Sequence, residues 1–289
     1  SYCHICWRDE ANGRTSRRQA DNRWLSYYTG KDLKTLYENT EYSKLYFLQY
    51  KVSNLCNLAC KTCGSFDSTR WYAEDSHYGR SNYTGVSVND DKKFSDAQLK
   101  TLVKLDLLGG EPFIDNSIYD FFVQLKKYTN LKNIKVLINT NATKVDPEKL
   151  IPLMDVKQLA LNISVDATGK LFPYMRGYNY SFDDIDTKIR NICKLKKSYK
   201  NFQVQVNAAY QIFNILNVED FFNWASEILE DETAGLVEYR TLHGPPFLRA
   251  RNAPKAIKYD ALLMLERLVK RFPNNNYFPD MIKEVKQSQ

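Results

Sequence analysis

The feature that most constrains the fold is a regular alternation of short apolar segments with longer amphipathic segments. The short segments are rich in β-branched and aromatic residues and are bounded by turn residues, which is typical of strands. Strands are predicted at residues 46–52, 105–108, 134–138, 159–166, 202–213 and 236–242. Amphipathic helices are predicted at residues 116–127, 147–154, 183–199, 218–229 and 256–272. Six such units without an internal repeat predict an α/β fold with a parallel sheet, in the form of a partial (β/α)6 barrel of the TIM type.

Shorter elements and extensions are predicted outside these units. A capping-box pattern, in which Ser95 precedes Gln98 by three residues, predicts a helix at 95–104. Other short helices are predicted at 31–40, from 67–72 onward and at 281–285, and a surface loop at 77–91. The predicted domains are an N-terminal segment at 1–43, the barrel at 44–243 and a C-terminal helical extension at 244–289.

Three cysteines follow the first predicted strand within eight residues. Cys56, Cys60 and Cys63 have the spacing C-x3-C-x2-C, which gives a compact metal-binding loop. No fourth cysteine lies nearby in the sequence, so one metal position of a cluster would stay open for a substrate or cofactor. Two alternatives are a zinc site completed by His77 or a distant cysteine, and three unrelated buried thiols.

The second predicted strand ends in a glycine turn that carries a carboxylate. Gly109 and Gly110 let the backbone pass close to a ligand, and Glu111, which precedes Pro112, can receive an ammonium group. Taken alone, this pattern is also typical of an ordinary turn from strand to helix. Its position directly after a strand, downstream of the cysteine loop, favours ligand binding.

Polar side chains also lie at the ends of the later strands. They are Asn139, Asn141, Ser164, Asp166 and Asn207. Because barrels of this type carry their active site at the C-terminal ends of the strands, these residues are candidate ligand contacts. The alternative for each is a turn cap or a hydrogen bond in the core.

The cysteine loop after a first strand, together with G-G-E-P after a second, resembles the radical S-adenosylmethionine (SAM) superfamily. The resemblance implies that Cys56, Cys60 and Cys63 hold a [4Fe-4S] cluster whose fourth iron is chelated by SAM. It implies that the turn at 109–112 contacts the amino group of SAM. The usual fold of this family is a partial six-unit barrel, in agreement with the count of strands.

The same resemblance implies further contacts to SAM. In the family, a serine at the end of the fourth strand and a basic residue after it help to hold the ribose and the carboxylate of SAM. Ser164 and Arg176 stand at the matching places, and a guanidinium group suits a carboxylate.

The N-terminal segment opens with a second pair of thiols, Cys3 and Cys6. A C-x2-C pair supplies half of a tetrahedral sulfur site and needs partners from elsewhere. The segment resembles the C-W-x2-E-x2-G-x2-S-x-R block of radical SAM proteins that have a "twitch" auxiliary-cluster domain. That resemblance implies an auxiliary iron–sulfur cluster and a chain that begins inside that domain, and the alternative is two free surface thiols. Cys193, within a predicted helix, is expected to be a buried, inert thiol.

The composition of the chain indicates its cellular compartment and the classes of partner it can have. Six cysteines in two tight groups plus one single residue favour metal ligation in a reducing compartment over a disulfide framework. No apolar run approaches the length of a membrane span and no signal-peptide apolar region is found, so we expect a cytoplasmic protein without a membrane partner. The net charge of +7 is compatible with an anionic partner, but aromatic and basic residues do not interleave as in a single-strand binding platform. Nucleic acid is therefore not indicated.

These patterns predict a radical SAM enzyme. As the family's chemistry implies, one electron from the cluster cleaves SAM to methionine and a 5′-deoxyadenosyl radical, which abstracts hydrogen from the substrate. The resemblance to auxiliary-cluster proteins favours a peptide or protein substrate, with an electron donor such as flavodoxin or ferredoxin. Sugar and RNA substrates are alternatives within the enzyme class. No residue can be assigned from the sequence as a catalytic acid or base. The alternative from another class is a non-enzymatic module in which the three cysteines and a fourth ligand hold structural zinc.

Overall fold

Six parallel strands form one open sheet at the centre of the structure, a computed structural model that describes residues 4–11, 13, 15–38, 44–80, 94–231 and 235–287. The strands are β1 (Phe47–Lys51), β2 (Lys104–Leu108), β3 (Lys135–Thr140), β4 (Gln158–Ser164), β5 (Phe202–Tyr210) and β6 (Val237–Thr241). They lie in the order in which they occur in the chain, and each neighbouring pair is parallel. β1 and β6 are the two edges, so the barrel is not closed and the predicted partial (β/α)6 fold is confirmed.

Helices connect the strands and extend the chain at both ends. In the described part of the chain they are α1 (His4–Ala11), α2 (Arg17–Thr29), α3 (Leu33–Glu38), α4 (Tyr72–His77), α5 (Asp96–Lys100), α6 (Ser117–Tyr128), α7 (Pro147–Leu150), α8 (Leu171–Arg176), α9 (Phe182–Cys193), α10 (Leu195–Ser198), α11 (Val218–Leu229), α12 (Lys255–Arg271) and α13 (Tyr277–Lys286). A helix with the length and apolar character needed to span a bilayer is not found among the described residues.

The two faces of the sheet differ in chemistry. Leu105 and Leu107 of β2 and Leu161 of β4 are fully buried on the face that the helices cover. Successive residues of a strand point to opposite faces, so Asp106 and Asn162 point to the other face, which is the inside of the barrel. Closed TIM barrels fill their interior with branched apolar side chains. The interior of this barrel differs from theirs, because it carries buried polar side chains.

Two helices that were not predicted, α1 and α2, lie in the N-terminal segment at 1–43. α2 begins with a capping box: the hydroxyl of Ser16 accepts the N–H of Gln19, and the side chain of Gln19 accepts the N–H of Ser16. It ends at Gly30 in the left-handed conformation, with φ of 65°. None of its residues is buried. Without a buried face there is no apolar periodicity, which is why the prediction missed this helix.

Aromatic residues of α2 lie over the lower end of the barrel, where the strands begin. The ring of Trp24 is 5.1 Å from Nζ of Lys104, and the ring of Tyr28 is 4.4 Å from Nζ of Lys135. Lys135 also donates a hydrogen bond to the hydroxyl of Tyr28. These are cation–π contacts, so α2 covers the lower opening without contributing to the core.

Other differences from the predicted elements are local. The helix predicted at 95–104 ends at Lys100, because Lys104 already begins β2. The helix predicted at 183–199 is interrupted between α9 and α10. Of the loop predicted at 77–91, residues 81–91 lie outside the described residues.

The two C-terminal helices join the same core as the barrel. α13 is longer than predicted, since it buries Phe278 and Met281. It also carries Glu284, which is 6% exposed and accepts a pair of hydrogen bonds from each of two arginines. Arg249 donates from Nε and Nη2 at 3.0 and 2.9 Å, and Arg251 does so at 2.9 and 2.7 Å. This triad fixes α13 to the segment that follows β6.

The Glu284 triad predicts a dependence of stability on pH. Burial works against the charge of Glu284, but the hydrogen bonds from Arg251 and Arg249 outweigh it and lower its pKa from 4.5 to about 2. A lowered pKa contributes stability that is present above about pH 4.5 and is lost as the pH falls through about 2. We expect Glu284→Gln to lower the free energy of unfolding by about 2–3 kcal/mol at pH 7, with a deficit about 2 kcal/mol smaller at pH 3.

Urea unfolding of the two proteins at both pH values measures this effect. Asp280→Asn in the same helix is the matched control, since Asp280 and Lys283 form an exposed pair. That change should cost less than about 0.5 kcal/mol. An equal deficit of the Glu284 variant at pH 7 and pH 3 would contradict the prediction.

Candidate cofactor site

The cysteine loop lies at the upper end of the barrel, beside the C-terminal ends of the strands. Cys56 and Cys60 are buried and Cys63 is half-buried. They line a cavity of about 210 Å³. The residues around this cavity are Cys56, Cys60, Cys63, Asp67, Gly109, Gly110, Asn139, Thr140, Asn141, Ser164 and Arg176. Parallel barrels bind their ligands at this end.

Hydrogen bonds from neighbouring elements hold the cysteine loop. The hydroxyl of Ser68 donates to the carbonyl of Leu58 at 2.7 Å, and the indole N–H of Trp71 donates to the carbonyl of Cys60 at 3.1 Å. The N–H of Lys61 donates to the carbonyl of Met175 in α8 at 2.9 Å. The loop is thus fixed both to the segment that follows it and to α8, so the protein itself positions the thiols.

Two glycines bring the end of β2 against the cysteine loop. The N–H of Gly110 donates to the carbonyl of Ser53, and the N–H of Glu111 donates to the carbonyl of Leu55, both at 2.8 Å. A Cβ at Gly109 would lie 2.8 Å from the carbonyl oxygen of Ser53, and one at Gly110 would lie 2.6 Å from the carbonyl carbon of Leu55. Both distances are shorter than real Cβ contacts, so only glycine fits at these positions.

Glu111 lies beneath the cavity wall and is 1% exposed. One carboxylate oxygen accepts the hydroxyl of Thr140 at 2.7 Å and the N–H of Phe113 at 3.2 Å, and the other accepts the N–H of Asn141 at 2.7 Å. Burial raises the pKa of this carboxyl group. The contact with an ammonium group stays a prediction. In the structure, Glu111 holds Thr140 and Asn141 at the cavity wall.

Asn141 connects the end of β3 to the cysteine loop. Its amide nitrogen donates to Oδ1 of Asn57 at 3.2 Å and lies 3.9 Å from Sγ of Cys56. Its amide oxygen accepts the hydroxyl of Thr143 at 2.6 Å, and that hydroxyl oxygen accepts the amide of Asn57 at 2.8 Å. Hydrogen bonds of this kind orient metal ligands and tune the sulfur atoms of a cluster.

A buried ion pair closes another side of the cavity. Nη1 of Arg176 donates to Oδ2 of Asp166 at 2.9 Å, and Oδ1 of Asp166 accepts the N–H of Ala209 at 2.8 Å. Burial works against the charge of Arg176, but the charges of Cys60 and Asp166 outweigh it, so its pKa is raised. Nε of Arg176 is buried and has no hydrogen-bond partner among the described residues. The guanidinium group therefore keeps a donor for an anion at the cavity.

The pKa values of the cysteines reflect burial and mutual contact. Burial raises the pKa of Cys56. A hydrogen bond between Cys60 and Cys63 lowers the pKa of Cys60 and raises that of Cys63 well above its usual value. Because thiolates are the ligands, metal binding must displace the remaining protons.

The structure brings most of the predicted site residues to this one cavity. Those that line it are Cys56, Cys60, Cys63, Gly109, Gly110, Asn139, Asn141, Ser164 and Arg176. Those that do not are Glu111, Pro112, Asp166 and Asn207. Asn207 lies beside Ser164 in the sheet register. Cys6 lies in α1, and Cys3 lies outside the described residues, so the predicted auxiliary site stays a prediction.

Two lining residues were not predicted. Thr140 lies between Asn139 and Asn141 at the end of β3. The rule that strand ends carry ligand contacts would have predicted it as well. Asp67 follows the cysteine loop outside any motif, and its Oδ1 is 3.1 Å from Nζ of Lys51 at the end of β1.

The residues around the cavity fit a cluster with a cofactor beside it. A [4Fe-4S] cluster needs each cysteine to reach a separate iron atom, whereas a single zinc ion needs its ligands to converge on one point. Three thiols line the cavity, two glycines expose backbone beside them, and Arg176 keeps a donor for an anion.

Several solved structures are similar to this chain in fold. Among solved structures, the chain is similar to native anSMEcpe with bound AdoMet and Cp18Cys peptide, at 15% identity and a TM-score of 0.51, over 81% of this chain and 62% of that one. It is also similar to Streptococcus suis SuiB bound to S-adenosylmethionine, at 17% identity and a TM-score of 0.48, over 88% of this chain and 51% of that one. At 15% identity, the similarity to anSMEcpe shows the fold alone. The chain spans less than two thirds of the length of either protein.

A search of curated protein sequences finds no match. The family model described as the Radical SAM superfamily matches residues 50–206, a range that includes all three cysteines, the glycine turn and Arg176. Since this match covers more than half of the 289 residues, the chain belongs to the radical SAM superfamily, whose cofactors are a [4Fe-4S] cluster and S-adenosylmethionine.

Proposed function

We propose that the chain is the catalytic part of a radical SAM enzyme that cleaves SAM reductively and modifies a peptide or protein. The observation that carries the proposal is the convergence of three thiols, a glycine cradle and a buried arginine on one cavity. A protein that bound metal only for structure would not need the glycines or the arginine there. The barrel at 44–243 would hold the cofactors, and the predicted extensions on either side would belong to substrate binding or to further domains.

Each residue of the cavity has a proposed task. Cys56, Cys60 and Cys63 would hold three irons of the cluster, which leaves the fourth for SAM. The chemistry that cluster and SAM supply when bound is one-electron cleavage of SAM to methionine and a 5′-deoxyadenosyl radical, which abstracts hydrogen from the substrate. The chain orients SAM and shields the reaction from water: Arg176 would bind the carboxylate of SAM, and Ser164 would contact the ribose.

Other residues would help to position SAM and the residues that bind it. Gly109 and Gly110 would present their backbone to the amino group of SAM, and Glu111 would act both by its charge and by holding Thr140 and Asn141. Since Glu111 is fully buried, its effect on the ammonium group of SAM would be exerted through low-dielectric surroundings. The other cavity and strand-end residues, Asn139, Asp166 and Asn207, would act as supports of this wall.

The proposal extends to the substrate and the partners of the enzyme. A protein with the same fold, anSMEcpe, was solved with AdoMet and the Cp18Cys peptide bound, which supports a peptide or protein substrate for this chain. An external electron donor such as flavodoxin or ferredoxin would reduce the cluster. Cys3 and Cys6 would contribute to an auxiliary cluster. Free thiols and a reduced cluster require a reducing compartment, which is why we place the protein in the cytoplasm.

The test of the proposed function is SAM cleavage in vitro. The protein is purified without oxygen, reconstituted with iron and sulfide and reduced with dithionite, and 5′-deoxyadenosine is measured by chromatography. We expect an iron–sulfur chromophore, bound SAM and formation of 5′-deoxyadenosine. A colourless protein with stoichiometric zinc and no affinity for SAM would overturn the proposal in favour of a zinc-binding module.

A further inference from the structure

Two buried acceptor oxygens in the interior of the barrel have no donor. They are Oδ1 of Asp106 on β2 and Oδ1 of Asn162 on β4. The two residues are 6% and 5% exposed, and neither atom has a hydrogen-bond partner among the described residues. Buried polar atoms are paired in most proteins, so two unpaired acceptors on the same face of a sheet require a donor from outside the described residues.

The contacts of Asn162 show that this face is the concave interior. Its amide nitrogen donates to Oδ1 of Asn139 on β3 at 2.9 Å and contacts Oε2 of Glu238 on β6 at 3.4 Å. β5 lies between β4 and β6 in the sheet. A side chain reaches across an intervening strand only on the inside of a curved sheet. The side chain of Asn162 therefore points into the barrel.

The orientation of the Asn162 amide is fixed by its partners. A carboxylate only accepts hydrogen bonds, so the amide nitrogen must face Glu238. The amide oxygen is then left without a protein donor. Rotation of the amide would place its oxygen against the carboxylate of Glu238, which is unfavourable.

Asp106 faces a separate chamber below the cysteine cavity. This lower chamber has a volume of about 190 Å³, and the polar and aromatic residues that line it are Trp24, Tyr28, Lys104, Asp106, Lys135, Gln158, Gln203 and Gln205. In the sheet register, Asp106 lies opposite Leu137, and Leu137 lies opposite Ala160. Asn162 is two residues farther along β4, which is about 7 Å nearer to the cysteines. Asp106 thus lines the lower chamber, and Asn162 lies on the same face of the sheet, between Asp106 and the level of the cysteines.

The charges around these oxygens are already balanced within the chain. Oδ2 of Asp106 pairs with Nζ of Lys104 at 3.4 Å, and Arg240 donates two hydrogen bonds to Oε1 of Glu238, at 2.8 and 2.6 Å. The cations of this face therefore already have partners. Oδ1 of Asp106 and Oδ1 of Asn162 are left without a donor among the described residues.

We propose that Asp106 and Asn162 form a specificity subsite for a side chain of the peptide substrate that donates hydrogen bonds, such as a carboxamide, a guanidinium or an ammonium group. This inference rests on the proposed function, because it takes the substrate to be a peptide. Donor groups would pair with these oxygens, whereas an acidic side chain would bring a further carboxylate to a face that already carries Asp106 and Glu238. An aliphatic side chain would leave both acceptors buried and unpaired.

Peptide binding tests the subsite directly. The probes are fluorescein-labelled decapeptide pools in which one central position is fixed as Gln, Arg or Lys, or as Glu, Met or Leu. Fluorescence anisotropy measures their binding to the reconstituted full chain in the presence of SAM. We expect at least one donor pool to bind about 10-fold or more tightly than the Glu, Met and Leu pools.

Three variants separate recognition from folding. Asn162→Leu removes the amide and should abolish the preference. Asp106→Asn keeps the shape but turns its amide oxygen toward Lys104 and a donor toward the chamber, so the preference should shift toward the Glu pool. Gln203→Met is the matched control. It lines the same chamber, but the oxygen of Gln203 already accepts a hydrogen bond from Gln158 at 2.9 Å, so the variant should keep the preference of the parent protein.

Equal binding of all pools, or a preference that survives both Asp106→Asn and Asn162→Leu, would overturn the proposal. Binding of none of the pools would also overturn it. Because the assay measures binding and the proposed function is measured by SAM cleavage, either can fail while the other holds.

Discussion

Replacement of Cys56 by alanine is expected to abolish the formation of 5′-deoxyadenosine. Cys56 is buried in the wall of the cavity, and its neighbour Asn141 has an amide 3.9 Å from its sulfur atom. Loss of residues that merely orient a metal ligand already costs about 10- to 100-fold in affinity or activity. Loss of one of three ligands should therefore lower activity by more than about 100-fold, to the level of a protein-free control.

The matched control for this variant is Cys193→Ala. Cys193 is also partly buried, and burial raises its pKa to about 11, but it lies in α9 and does not line the cavity. We expect this variant to keep its iron content and at least about half of the activity, since it removes a single buried sulfur away from the site. Chromatographic measurement of 5′-deoxyadenosine and iron analysis of both variants test this prediction. Equal loss in the two variants would mean that Cys56 has no special role.

Replacement of Gly110 by alanine should separate the end of β2 from the cysteine loop. The new Cβ would lie 2.6 Å from the carbonyl carbon of Leu55 and 2.7 Å from the carbonyl oxygen of Asn54. Both neighbours are backbone atoms, which cannot rotate away as a side chain can. We expect the free energy of unfolding to fall by about 2–3 kcal/mol and SAM binding to fall by at least about 10-fold.

Gly64→Ala is the control for the glycine variant, because Gly64 directly follows Cys63. A Cβ at that position would meet only Oδ2 of Asp75, at 3.5 Å, which is an ordinary contact. Urea unfolding should show a change within about 0.5 kcal/mol, and equilibrium dialysis should show unchanged binding of SAM. If Gly110→Ala also left both quantities unchanged, the close approach of β2 to the loop would not matter for the site.

The sheet was predictable because its strands are buried on one face and alternate with helices. That pattern is local, and it places all six strands in the chain to within a few residues. The largest deviation is at β5, which was predicted to reach residue 213 and ends at Tyr210. The reason is tertiary: the amide nitrogen of Asn214 donates to the carbonyls of Asp166 and Ala209, at 2.7 and 2.9 Å, and turns the chain away.

The candidate site was predictable where it follows from strand ends. Cysteines after β1 and polar residues after β3 and β4 meet because parallel strands end at the same side of a barrel. The orientation of single side chains does not follow from this rule. Glu111 turns inward to Thr140 and Asn141, and Asp166 turns to Arg176. These choices depend on which buried donors need an acceptor, and that is known only from the folded chain.

The way in which α2 rests on the barrel has a consequence for hydrogen exchange and for access to the interior. Its contacts with Lys104 and Lys135 are made through aromatic rings, and none of its residues is buried. Its amides should therefore exchange through a local opening that costs much less free energy than global unfolding, whereas those of β3 and β4 should exchange only with the whole core. Such an opening would uncover the lower chamber while the strands and the cysteine loop stay in place. Access to the lower chamber would then be limited by the motion of one helix and not by the stability of the barrel.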